Sequence, residues 1–217
     1  MRKVFENELK ELNEEMIRMS DLCTKAISTS VEYLMNPSAD RKGDVAALVE
    51  ECNHTERTIE NMSLRLLMEQ QPVAGDLRVI TAALKMVSDM ERIADNADDI
   101  ADIVAEGNIT EGQVGTVDLS GMAEAAMGML TESISAFVNK DEAMARKVIE
   151  ADDVVDNRFT ELKKKLAVSF RDETKNLDAL LDLFMIAKYF ERIGDHSVNV
   201  GQWVVYMTTG ELVGNTN

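Results

Sequence analysis

Proline and glycine are scarce in this chain, with two prolines and 11 glycines in 217 residues. So little turn punctuation argues against a fold of many short strands and for long, uninterrupted helices. Aromatic residues make up only 5%, so the core must come from Leu, Ile, Val, Ala and 14 methionines, within an apolar fraction of 45%. Two cysteines, Cys23 and Cys52, form no CxxC motif and no Cys/His metal spacing. A reduced chain with two buried thiols is therefore expected, not a disulfide scaffold. Lysine and arginine total 23 against 40 acidic residues, a net charge of −17. A phosphate backbone needs a basic face, so nucleic acid is not the expected partner. Metal cations or a positively charged protein suit that charge, although solubility alone explains it equally well. No window approaches the ~20 apolar residues of a membrane span. The first eight residues carry charges where a signal peptide has its apolar core. The expected location is the cytoplasm.

What the chain does contain is apolar periodicity. Phe5, Leu9, Leu12, Met16, Met19, Cys23, Ile27, Val31 and Leu34 recur in steps of three and four, which predicts one amphipathic helix over residues 3–36. Asn36-Pro37 breaks it. A second pattern runs from about Arg41 to Gln71, with Val45, Leu48, Val49, Cys52, Ile59, Met62, Leu66 and Leu67 inward. Asp76 reads as the N-cap of a third helix, which carries Leu77, Ile80, Leu84, Val87, Ile93, Ile100 and Ile103 and closes at Gly107-Asn108. Residues 107–116, with three glycines, read as a linker. Further helices are predicted from about Leu119 to Val138, Glu142 to Phe170 and Asn176 to Thr209, with a frayed tail beyond. Methionines such as Met16, Met19, Met62, Met86, Met122, Met129, Met144 and Met185 are expected to fill the core.

The chain repeats itself. Glu91-Arg92-Ile93-Ala94-Asp95 returns 100 residues later as Glu191-Arg192-Ile193-Gly194-Asp195. Leu48-Val49-Glu50 matches Val148-Ile149-Glu150 at the same offset, as do Glu56 with Asp156 and Leu77 with Leu177. The fold class that follows is all-α: two tandem, homologous three-helix bundles, residues 1–110 and 111–217, packed side by side. Residues four apart on a helix share a face. Glu91, Asp95 and Asp99 therefore stack on one stripe, and Glu191, Asp195 and Asn199 on another. Like charges so placed repel by a few tenths of a kcal/mol per pair, and a stripe that repels itself calls for a cation.

Two copies of Glu-Arg-Ile-Gly/Ala-Asp, each on the third helix of a three-helix repeat, resemble the PhoU family of bacterial phosphate-signalling proteins. Gln71-Pro72-Val73-Ala74-Gly75-Asp76-Leu77-Arg78, Leu84-Lys85 and His196 after the second copy extend the likeness. The resemblance implies a cytoplasmic, commonly dimeric six-helix protein. It would be a negative regulator of phosphate uptake and of the phosphate-starvation response, coupling the phosphate ABC transporter ATPase to a sensor histidine kinase. It also implies metal ions (Fe, Zn, Mn or Mg) on the acidic motif. Carried over by position, the first site is Glu91, Asp95, Asp99 and Glu56, with Asn53 adjacent. The second is Asp153, Asp156, Glu191 and Asp195, with Asn199. Oxygen ligands of this kind suit hard cations.

A plainer explanation of the stripes stays open: salt bridges from Arg92, Lys85 or Arg57 in the first half, and from Lys188 or Arg192 in the second. Such exposed pairs are worth little. His196 points about 100° away from the Asp195 stripe and reads as a surface or interface residue, and His54 as solvated. A metal-storage protein without a signalling partner is the alternative function. An enzyme is not expected: the chain has no Glu-x-x-His pair, no phosphate-cradling glycine loop and no Ser/His/Asp set.

Overall fold

The computed structural model describes residues 2–70, 72–110, 114, 118–170 and 176–213. Six long helices account for nearly all of them: α1 Arg2–Met35, α2 Lys42–Gln70, α3 Gly75–Ala105, α4 Leu119–Asn139, α5 Glu142–Ser169 and α6 Leu177–Thr209. A short 3₁₀ turn at Pro37–Ala39 separates α1 from α2, and there is no strand among the described residues. With 34 residues, α1 is about 51 Å long at 1.5 Å per residue.

Helix ends follow local chemistry, with one departure. The Asp118 carboxylate accepts from the Gly121 amide, Asp141 from Met144, and Asn176 from Asp178 and Ala179. Each satisfies amides that the first turn leaves without partners. At α3 the capping position is Ala74, at φ 46°, and it offers no side-chain acceptor. Asp76 instead lies in the first turn, where its charge meets the positive end of the helix dipole. At the far ends, Gly107 and Gly210 take the positive φ that terminates α3 and α6.

The predicted stripes point inward. Leu12, Met16, Met19, Cys23, Ile27 and Leu34 of α1 join Ile59, Ile93, Leu130, Val155, Phe190 and their neighbours in one continuous core. Leu77 and Met185 do not follow; both are exposed. Nor is the linker wholly solvated, because Ile109 and Val114 are buried; the rest of 111–117 lies outside the described residues.

Within each half the three helices pack on one another, and the halves join along α3·α6, with a lesser contact of α1 with α4. Contacts along α3·α6 fix its direction. The Arg78 guanidinium donates to the Met207 carbonyl at 3.2 Å. Asp89 accepts from Asn199 at 3.0 Å. Tyr189 bonds Asp99, and the Asn108 amide donates to Asp182 at 3.1 Å. As α3 advances α6 retreats, so the two are antiparallel. The pairs 89–199 and 99–189 exchange under the 100-residue offset, so the duplicated units face each other across a pseudo-twofold at the level of Ala94 and Gly194.

Candidate metal centre

The two acidic motifs lie on the central helices, near the middle of the α3·α6 seam. In the first half, burial raises the Glu56 carboxyl above the ordinary range, and Glu91, Glu60 and Asp95 raise it further. The structure thus gathers Glu56 of α2 with Glu91 and Asp95 of α3. Asp99 is raised by burial and then by Asp95, while Arg192 and the Tyr189 hydroxyl of α6 act against that. It therefore faces the other half as well as its own stripe. Asn53 stands nearby on α2, and its Oδ1 is buried with no hydrogen-bond partner. One turn on, the Asp98 Oδ1 is buried in the same unpartnered way, and burial followed by the charge of Asp102 raises that carboxyl.

The second half is built alike but furnished differently. Asp152 of α5 is pushed up to about 6, first by burial and then by Asp156, Asp195, Glu191 and Asp153. Its Oδ1 is buried and unpartnered. A Cβ added at Gly194 would stand 3.4 Å from that oxygen, which places Asp152 directly against the motif helix. Burial, then Glu191, also raises Asp195. The sequence places Asp153 and Asp156 in this set; the structure leaves both exposed, as it does Asp195, and adds Asp152 on the inward side with a buried oxygen. The signal was present, since Asp152 falls on the same stripe as buried Val148 and Val155. In the first half the position equivalent to Asp152 is Cys52, whose sulfur lies 3.9 Å from that of Cys23. Asn199, the last predicted member, turns to the seam and donates to Asp89. His196 does the same work: its Nδ1 lies 2.9 Å from the Asp89 carboxylate, which makes it an interface residue between the halves. His54 is exposed.

Cations of the protein itself occupy part of each stripe. Arg92 reaches Asp95 at 3.2 Å and Glu91 at 3.8 Å. Lys188 pairs with Glu191 and lies 5.5 Å over the Phe159 ring. Among the described residues, no three His, Cys, Asp or Glu side chains converge on one point that could hold a metal ion. The donor chemistry nevertheless fits a hard cation. All the oxygens come from carboxylates and one amide, and Asn53 and Asp152 each bring a buried oxygen that nothing in the protein satisfies. Burial together with like charge is also the setting in which a carboxylate gains most from a cation.

Comparison with known proteins follows the same duplication. The PhoU domain matches twice, over residues 16–104 and 119–204. The chain is 30% identical over 213 residues to a protein of Clostridium acetobutylicum named as a phosphate-specific transport system accessory protein PhoU homolog, covering 98% of this chain and 97% of that one. A protein of the same name from Aquifex aeolicus is 33% identical over 214 residues, with 97% and 95% covered. The crystal structure of PhoU from Pseudomonas aeruginosa superimposes with a TM-score of 0.86 at 27% identity, over 95% of this chain and 100% of that one. Duplicated fold, paired motifs and full-length similarity agree: the chain belongs to the PhoU family.

Proposed function

We propose that this protein is a cytoplasmic accessory regulator of phosphate transport, acting through binding rather than catalysis. The observation that carries this is the match over both repeats to relatives named as accessory proteins of a phosphate-specific transport system. No helix among the described residues is long and apolar enough to cross a membrane, which suits a protein that meets the transporter from one side. On this reading it lowers phosphate uptake and the phosphate-starvation response by linking the ABC transporter ATPase to a sensor histidine kinase. It works as a homodimer, and within each chain the repeats 1–110 and 111–217 carry one acidic site apiece.

Metal binding is part of the proposal. Glu56, Glu91, Asp95 and Asp99, with Asn53, would hold one group of ions. Asp152, Asp156, Glu191 and Asp195 would hold the other, with Asp153 and Asn199 at its margins. A bound cation would supply the positive charge that the crowded carboxylates lack. Arg92 and Lys188 are already placed to neutralise part of each stripe when it is empty, so loading would move these two side chains aside.

The test joins two measurements. Deleting the gene should derepress phosphate-regulated transcription in phosphate-rich medium, and the purified protein should retain the transport ATPase and the kinase at low salt. Bound metal without any transcriptional change would favour storage. Failure of both retention and derepression would overturn the regulatory reading.

A further inference from the structure

Cys23 of α1 and Cys52 of α2 are the two cysteines of the chain, and both are free and completely buried. Their sulfurs stand 3.9 Å apart. Cys23 also donates its hydrogen to the Met90 carbonyl of α3 at 3.3 Å, so Cys52 is the donor in the contact between the two sulfurs. Weak bonds thus tie α2 through α1 to α3, and each end of that tie adjoins the first acidic set. Cys52 precedes Asn53, whose Oδ1 is buried without a partner, and lies one turn before Glu56. Met90 precedes Glu91. The second half has no cysteine, and Asp152 fills the place of Cys52.

We propose that this pair is a redox gate on the first acidic set. Hydrogen peroxide converts it to a disulfide, and the crosslink weakens cation binding at Glu56, Glu91, Asp95 and Asp99. The gate rests on the metal-binding reading above; the crosslink does not. In the first step one sulfur, as thiolate, attacks the peroxide; the O–O bond breaks, a sulfenic acid forms and water leaves. In the second step the other sulfur displaces the hydroxyl as a second water, and the S–S bond closes. The two thiols thereby give up two electrons and two hydrogens to one peroxide. Both sulfurs are buried, so the reaction waits on local opening of the α1–α2 hairpin and answers sustained oxidant. A disulfide is about 2.05 Å long, so the sulfurs draw together by roughly 1.9 Å from their present 3.9 Å. Cys23 also loses the hydrogen that it gives to Met90. Closure thus clamps α2 to α1 and removes the tie to α3, while Glu56 has to meet Glu91 across the α2·α3 contact. Metal–oxygen distances tolerate shifts of only about 0.2 Å, and loss of supporting contacts around a metal site typically lowers affinity about 10–100-fold.

Prolonged treatment of the full chain with hydrogen peroxide tests this. Thiol titration after denaturation should fall from two per chain to none, with the intact mass lower by about 2 Da and the chain still monomeric on a non-reducing gel. Dithiothreitol should restore both thiols. Manganese titration in the Glu191→Gln background, which disables the second set, should show binding at least about 10-fold weaker after oxidation and recovered after dithiothreitol. That recovery separates the crosslink from methionine oxidation, which needs its own reductase to reverse, and it requires no substitution at a buried cysteine. Cys23→Ala and Cys52→Ala, where melting shows them folded, should bind manganese alike before and after peroxide. In Glu91→Gln, which leaves the second set, peroxide should change nothing. Persistence of both thiols, crosslinks between chains only, or a crosslink that leaves affinity unchanged would overturn the gate. Manganese ignored already by the reduced protein would sink the metal reading and the gate with it, whereas binding that ignores the crosslink sinks the gate alone.

Discussion

A carboxylate set against α6 at position 152 loses water and also meets four acidic neighbours. Its carboxyl is raised to about 6, against an ordinary aspartate near 4. Below pH 4 Asp152 is protonated in both the folded and unfolded chain and contributes nothing. Between about 4 and 6 the unfolded chain releases the proton more readily, so stability falls as pH rises, and above 6 the full penalty stands. The shift alone corresponds to ~3 kcal/mol. Because the side chain is partly open to water, about 1 kcal/mol is the realistic remainder. Asp152→Asn should therefore raise the melting temperature of chelator-treated protein by ~2–4 °C at pH 7 and leave it unchanged at pH 3.5. The same substitution should weaken metal binding, so calorimetric titration of the variant would show opposite signs for stability and affinity. Asp89 works in the other direction. It accepts from both His196 and Asn199, so Asp89→Ala should cost ~1–2 kcal/mol in urea unfolding through the partners it strands.

Helix by helix, the two central elements owe their fit to small residues. Gly194 and Gly201 both lie buried in α6, but they differ in what a methyl group would touch. At Gly194 it meets side-chain atoms at 3.4 Å, an ordinary contact. Gly194→Ala should stabilise by up to ~1 kcal/mol through helix propensity, as the alanine already at position 94 suggests. At Gly201 the methyl would stand 3.3 Å from the Ala145 backbone carbonyl and 3.4 Å from Ile149. A carbonyl within a helix cannot step aside cheaply, so Gly201→Ala should lower stability by ~1 kcal/mol net; paired thermal melts of the two variants would show opposite shifts. These packing differences were hidden in the sequence, whereas the helices themselves were plain. Phe5 through Leu34 trace a single stripe because burial on one side forces a period of three to four. Leu77 and Met185 share that period yet face outward, since apolar type alone does not say which neighbour covers a residue. The motif carboxylates were legible as a repeat. Asp152 was separable from Asp153 by the apolar stripe it shares with Val148 and Val155, but which acids of α6 that stripe meets is decided by the docking of α5 on α6. The bond from His196 to Asp89 spans 107 residues and becomes visible only once α3 and α6 are laid antiparallel.

Taken as a whole, the molecule carries −17 charges on a scaffold with one shared core. Self-repulsion of that size is screened by salt. Raising sodium chloride from 0.05 to 0.5 M should therefore raise the melting temperature of chelator-treated protein, and divalent cations should do so at far lower concentration if they occupy the stripes. A fall in melting temperature with added salt would mean that attractive ion pairs, such as that between Lys42 and Asp102 at 2.6 Å, outweigh the repulsion. Unfolding should also be a single transition, because α3·α6 is the most extensive interhelical contact and joins the two halves.

Gene duplication left two backbones alike and two interiors unequal: a thiol stands at position 52 where an acid stands at 152. Asparagine at 199, in turn, stands where the first half has Asp99, so each set keeps four carboxylates. A cation bound as proposed would therefore meet equal charge in unlike geometry at its two stations.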